Sequence, residues 1–167
     1  VRDLQMVLKD QGAVIDGVAD GADVPTRGNF DTALRTLERI ADIEIVRLPA
    51  LPYEEVTRTI LFGEMASAFE DLIESGYLAD LTAPEDRYTP YSRVAVLAKD
   101  YIRALRLRGV VAAEVGRAMR GFDAWVGPSR PISSTKLDEE FPSAVHGAST
   151  DPMGAIGNAA GLPAISV

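Results

Sequence analysis

Ser133 and Lys136 stand three residues apart, a spacing at which a helix would set a lysine amine one turn from a serine hydroxyl and influence its protonation. Such a pair can support acyl transfer through an activated serine. Enzymes built on it also carry Ser-Asp-Asn and Lys-Thr-Gly elements, which this sequence lacks, and the pair lies beside the acidic run Asp138 to Glu140 in a stretch that reads as loop. A solvated loop is the better reading. His146 is the only histidine, and its neighbours Ala144, Val145, Gly147 and Ala148 supply neither a nucleophile elbow nor a ligand cluster. Asp138, Glu139 and Glu140 are adjacent charges rather than convergent metal ligands. Gly154, Gly157 and Gly161 have neither dinucleotide nor Walker spacing, and no lysine follows them, so they read as small residues that permit close packing. The residues alone therefore point to no catalytic set, no metal site and no cofactor.

The elements that would position these groups are read from periodicity. Residues 1 to 25 mix Gly, Asp and Val without sustained pattern, leaving an irregular segment with a short helix over Asp3 to Lys9 at most and a loop over Gly17 to Pro25. From Asn29 the positions Phe30, Ala33, Leu34, Leu37 and Ile40 recur at helical spacing, and Ile43 to Leu48 then reads as a strand closed by Pro49. Pro52, Glu54 and Glu55 start a second helix that runs along Val56, Ile60, Met65, Phe69, Leu72 and Ile73 to Gly76. Residues 77 to 92 read as a connection holding at most one short helical turn.

Val94, Leu97, Tyr101, Leu105, Ala112, Val115 and Met119 give the longest helical stripe, with Gly109 and Gly116 as weak points in it. Phe122 to Val126 reads as a strand, 129 to 150 as polar loop, Met153 to Ala160 as a helix of small residues and Pro163 to Val167 as a last strand. Tyr101 on the long helix and Trp125 on its strand occupy positions typical of core aromatic residues. Helices separated by isolated short strands imply an α/β architecture with much of its sheet outside the sequence.

Composition narrows the function. The chain has 167 residues, 47% of them apolar and 25% charged, which is the profile of an ordinary globular domain. A net charge of -8 without a basic stripe argues against nucleic acid as a partner. Without cysteine there is no disulfide framework or thiolate chemistry, and with no apolar run of spanning length or signal peptide the expected setting is the cytoplasm, off the membrane. The chain opens at Val1 and closes at Val167 inside an apolar run, which reads as a domain over 26 to 167 truncated at both ends.

The segment Ala118-Met119-Arg120-Gly121-Phe122-Asp123-Ala124-Trp125-Val126-Gly127-Pro128-Ser129-Arg130-Pro131 resembles the amidase signature family. There a helix leads into a Phe-Asp-x-hydrophobic-hydrophobic-Thr-Pro-Thr-x-Pro element. Gly157-Asn158-Ala159-Ala160-Gly161-Leu162-Pro163-Ala164-Ile165-Ser166-Val167 is similar to the family's Asn-Leu-Ala-Gly-Leu-Pro-Ala-Ile-Ser-Val strand entry. Asp100 to Arg106 resembles the helix before the first element, and Phe30 to Pro49 an earlier helix-strand pair ending in Leu-Pro.

This resemblance implies a helix-rich part of an α/β sandwich with a mixed sheet. It also implies hydrolysis or transfer of carboxylic amides through a Lys, cis-Ser, Ser triad. The triad and its glycine-rich segment lie upstream of the matching region and do not occur in this sequence. The implied role is therefore a pocket wall toward a small-molecule amide, with Tyr101, Trp125, Pro128, Ser129, Arg130 and Asn158 as substrate-side candidates and no catalytic residue. Trp125 and Val167 are expected on strands of one sheet. Gly127 and Ser129 replace the pattern's threonines, and Arg130 stands where a small residue is common. A homo-oligomer is compatible with this reading. The competing reading is a non-catalytic helical binding domain.

Overall fold

The structure is a computed structural model that describes residues 10–84, 87, 95–134, 136–138 and 152–166. Its first strand, β1 (Asp10–Ile15), is the centre of a three-stranded sheet of order β2-β1-β3, with β2 at Ala41–Val46 and β3 at Ala124–Val126. Both pairings are parallel, and Ala13 lies level with Glu44 on one side and Trp125 on the other. The fold is thus α/β, and the sheet expected to be mixed is wholly parallel among the described strands.

β1 corrects the expectation of an irregular start. Its sequence Asp-Gln-Gly-Ala-Val-Ile alternates poorly and holds β-branched residues only at its end. Pairing on both edges makes it a strand all the same, since strand preference depends on neighbours more than on intrinsic propensity. After three tight turns over residues 15–22, α1 runs Val24–Leu37. It begins five residues before Asn29, because Asp23 accepts the Thr26 N–H at 2.8 Å and Pro25 fits the first turn. Phe30 is its buried anchor, while Ile40 lies beyond the helix and is exposed.

The second expected helix is two, α2 (Tyr53–Ala68) and α3 (Glu70–Ser75), bent at Phe69. Phe69 leaves helical geometry but keeps its bonds to Met65 and Ile73, so the chain kinks without losing backbone partners. A 3-10 turn follows at Tyr77–Asp80, and Pro84 and Arg87 are helical as well, so the connection carries more helix than the one short turn expected of it.

The long helix α4 (Ala98–Ala118) is unbroken through Gly109 and Gly116. Its buried face is Ala104, Val111 and Val115, whereas Leu97 and Leu105 of the expected stripe are exposed. The apolar stripe has two solutions about a third of a turn apart, and contact with α2 and α5 (Pro152–Ala160) selects one. The core joins β1 to α1, α4 and α5 through Ile15, Val18, Phe30, Val111, Val115, Ile156 and Ala159, with Tyr53 of α2 packed against it.

The last expected strand is not one. Residues 162–166 follow α5 without regular structure and with no sheet partner among the described residues, and Ile165 is exposed. An apolar run becomes a strand only where another strand offers it a ladder. The expected helix over Asp3 to Lys9, together with Val94, Glu139, Glu140, His146 and Val167, lies outside the described residues. No described helix is long and apolar enough to cross a membrane.

Val115 is fully buried at the meeting of α4 with the sheet. Val115→Ala removes two methyl groups that cannot be replaced by solvent, so urea unfolding should show a loss of about 2–3 kcal/mol. A loss below about 0.5 kcal/mol would mean the core does not close on this residue.

Candidate functional site

Three parallel strands must end on the same side of the sheet, here at Ile15, Val46 and Val126. From β1 the chain steps outward to β2, then crosses back over β1 to reach β3. Right-handed crossovers in opposite directions pass on opposite faces, so the strand order reverses between β1 and β3. Open α/β sheets bind ligands in the crevice beyond the strand carboxyl ends at that reversal. The segments that reach it are 16–23 after β1 and 127–134 after β3.

Asp123 prepares the second segment. Its carboxylate accepts the Gln11 N–H at 2.7 Å, and its own N–H donates to the Gln11 carbonyl at 2.6 Å. The aspartate of the Phe-Asp element is thus a latch that sets β3 against β1. At the other end of β3, a Cβ on Gly127 would lie 2.6 Å from Met153 Cγ and 2.8 Å from its Sδ. The glycine that stands where the resembling pattern has threonine therefore has a local reason: α5 puts a methionine side chain into the space that any Cβ at this position would need.

Of the candidate residues, Pro128, Ser129 and Arg130 fall on this segment and Trp125 lies on β3 just before it. Trp125 packs against the core, and its buried indole Nε1 has no hydrogen-bond partner among the described residues. Ser129 and Ser166 hydroxyls are 3.1 Å apart, which brings the family-like second element onto the same loop. Arg130 is exposed at the loop's end.

Tyr101 and Asn158 are placed elsewhere. The Tyr101 hydroxyl donates to Glu64 Oε1 at 2.6 Å, and its ring fills the space that a Cβ on Gly63 would need, 2.9 Å away. The hydrogen bond to Glu64, partial desolvation and the glutamate's charge raise the Tyr101 pKa above its usual value. Tyr101 therefore joins α4 to α2. Asn158 is exposed on α5, and its carbonyl accepts the Gly161 N–H; no described side-chain bond links it to the loop.

Asp23, which in the sequence reads only as part of a loop, contributes most to this edge. Besides capping α1, its carboxylate accepts the Ser133 N–H at 3.1 Å, and its N–H donates to the Pro131 carbonyl at 2.8 Å. Hydrogen bonds from the Thr26 side chain, the Ser133 backbone and the Thr26 backbone hold its pKa at about 2, against an ordinary 3.8. Its only sequence signals are the Asp-x-x-Thr spacing and Pro25, which mark a helix start but say nothing of a distant loop.

This edge can bind and orient but holds no nucleophile paired with a base. The segment with Ser133 and Lys136 is not helical, so their spacing does not set them on one face. Among the described residues, no three His, Asp or Glu side chains converge as metal ligands. A separate open groove of about 250 Å³ between α2 and α4, floored by Val56, Ala104 and Leu107, contains none of the candidate residues.

No family model matches the chain. Its relatives include the A-subunit of glutamyl-tRNA(Gln) amidotransferase from Exiguobacterium sp., 27% identical over 176 residues, covering 91% of this chain and 36% of that one. Its counterpart in Syntrophomonas wolfei is 31% identical over 67 residues, 40% of this chain and 14% of the other. A solved amidase structure matches with a TM-score of 0.70 at 23% identity, over 90% of this chain and 37% of that one. The solved A-subunit of the amidotransferase from Thermotoga maritima matches at 0.64 and 20% identity, over 93% and 34%. In the relatives matched along most of its own length, the chain spans about a third of the whole.

The Asp23 contacts make an acid-sensitive prediction. A carboxyl whose pKa is lowered on folding stabilises the fold above its unfolded value and loses that contribution as pH falls through the folded value. Stability should therefore decline from the ordinary pKa of 3.8 toward about 2 through this group. Asp23→Asn should have a lower melting temperature than the parent at pH 6, with the difference shrinking by pH 2. A constant difference across this range would remove Asp23 as the group responsible.

Proposed function

We propose that this chain, whose sequence relatives and fold are those of the amidase signature family, forms the substrate-pocket wall of an amidase that acts on carboxylic amide C–N bonds. The observation that carries the reading is the loop Gly127–Pro131 at the strand reversal, in the position where α/β sheets meet their ligands. The bond-breaking groups, a lysine and two serines by the resemblance, come from outside these 167 residues.

In that reaction the second serine attacks the amide carbonyl, its proton passing through the middle serine to a neutral lysine; that proton returns to the departing amine as the C–N bond breaks, and water then hydrolyses the acyl-serine to release the acid. The residues of this chain act on selectivity. Arg130 offers a planar fork of donors to a carboxylate on the substrate, and the Ser129 hydroxyl stands one residue away as a polar contact. Trp125 backs the loop from the core, and Pro128 stiffens its turn out of β3. Selectivity of this kind changes the energy difference between competing substrates and leaves the bond-cleaving step to the triad.

Two measurements test the reading. Residues 1–167 alone should not turn over aryl or alkyl amides. Turnover that disappears in Ser133→Ala or Lys136→Ala would overturn the assignment and restore the Ser-x-x-Lys pair. In the active protein that contains this chain, Arg130→Ala should raise KM for an acidic amide about tenfold to a hundredfold and leave a matched neutral amide little changed. Equal kinetics on the two substrates would remove Arg130 from the pocket.

A further inference from the structure

We propose that Asp23 is a positioning residue for the loop Gly127–Pro131, holding the loop's far end against the start of α1 and thereby setting where Arg130 stands. The consequence for substrate rests on the pocket reading above; the clamp itself rests on geometry alone.

The loop is held at both ends and spans only five residues. Its near end leaves the β1–β3 ladder at Val126, with Gly127 closed against Met153. Its far end is Pro131, buried, whose carbonyl accepts the Asp23 N–H at 2.8 Å; two residues on, the Ser133 N–H donates to Asp23 Oδ2 at 3.1 Å. Arg130 directly precedes this anchor. Asp23 itself cannot drift, because Oδ1 accepts the Thr26 N–H at 2.8 Å at the first turn of α1.

The residue type follows from this geometry. Two backbone N–H groups from segments 107 positions apart, counting from Thr26 to Ser133, meet one side chain, each on a different carboxylate oxygen. A carboxylate presents two acceptor oxygens at once, whereas asparagine presents one and serine a single short hydroxyl. The positive end of α1 adds a further preference for the anion. The lowered pKa of Asp23 agrees, since hydrogen bonds from Thr26 and Ser133 favour the ionised form that presents both oxygens as acceptors. Loss of the second oxygen leaves the backbone bond to Pro131 in place, so the loop would pivot about that bond and displace its neighbour Arg130.

The substitutions Asp23→Ser and Asp23→Asn separate capping from clamping, because each keeps one acceptor for α1 and loses the other. Amide hydrogen exchange on this chain should show Ser133 losing protection by about tenfold or more while the amides of α1 keep theirs. In the active protein that contains the chain, Asp23→Ser should raise KM for an acidic amide with kcat little changed. The double variant Asp23→Ser/Arg130→Ala should be no worse than Arg130→Ala alone, since one residue acts through the other. Unchanged Ser133 exchange would overturn the clamp. Additive kinetic losses would overturn the action through Arg130. A silent Arg130→Ala would overturn the pocket reading, and the exchange result would then decide the clamp independently.

Discussion

β1 is paired on both edges by parallel strands, and most of the molecule follows from that constraint. A parallel neighbour cannot be reached by a hairpin, so each partner costs a crossover long enough to carry a helix. α1 fills the first crossover; α2, α3 and α4 fill the second. The order β2-β1-β3 then reverses direction at β1, which creates one crevice at the strand carboxyl ends and brings segments 16–23 and 127–134 to it. The short β3 ladder has only three paired residues, so its register relies on additional contacts.

Two aspartates supply those contacts by the same physical means. Asp123 exchanges hydrogen bonds with Gln11 before β3 begins, and Asp23 accepts from Thr26 and Ser133 after it ends. In each case a carboxylate meets backbone N–H groups that no regular element satisfies, at places where the chain enters or leaves the sheet. Met153 completes the frame from α5 by filling the space beside Gly127. The loop between these fixed points is consequently short and its exposed side chains project from a braced backbone, which suits recognition better than a free loop would.

The family-like residues carry different physical content. The Phe-Asp element maps onto a latch, since the Asp123 carboxylate accepts the Gln11 N–H just before β3 pairs with β1. Gly127 stands where the resembling pattern has threonine, and the Met153 side chain lies in the space that a Cβ there would need. Tyr101, by contrast, has its hydroxyl committed to Glu64 and its ring to Gly63, so its matching neighbourhood reports helix packing.

Local chemistry is enough to find most helices and two of the strands. The spacing of Phe30 and Leu34, the β-branched run after Ile43, the acidic start after Pro52 and the small residues from Met153 each encode an element within a window of a few residues. The loop Gly127–Arg130 is legible for the same reason, through its proline and its motif. What sequence could not settle depends on partners far along the chain. β1 looks irregular until β2 and β3 pair with it, 162–166 looks like a strand until no ladder meets it, and α4 offers two apolar faces until α2 and α5 choose one. Asp23 belongs with these: its cap on α1 is a three-residue signal, whereas its hold on Ser133 joins residues 110 apart. Local preferences are summed along the chain, but pairing and burial are decided between segments, and only the folded chain brings those segments together.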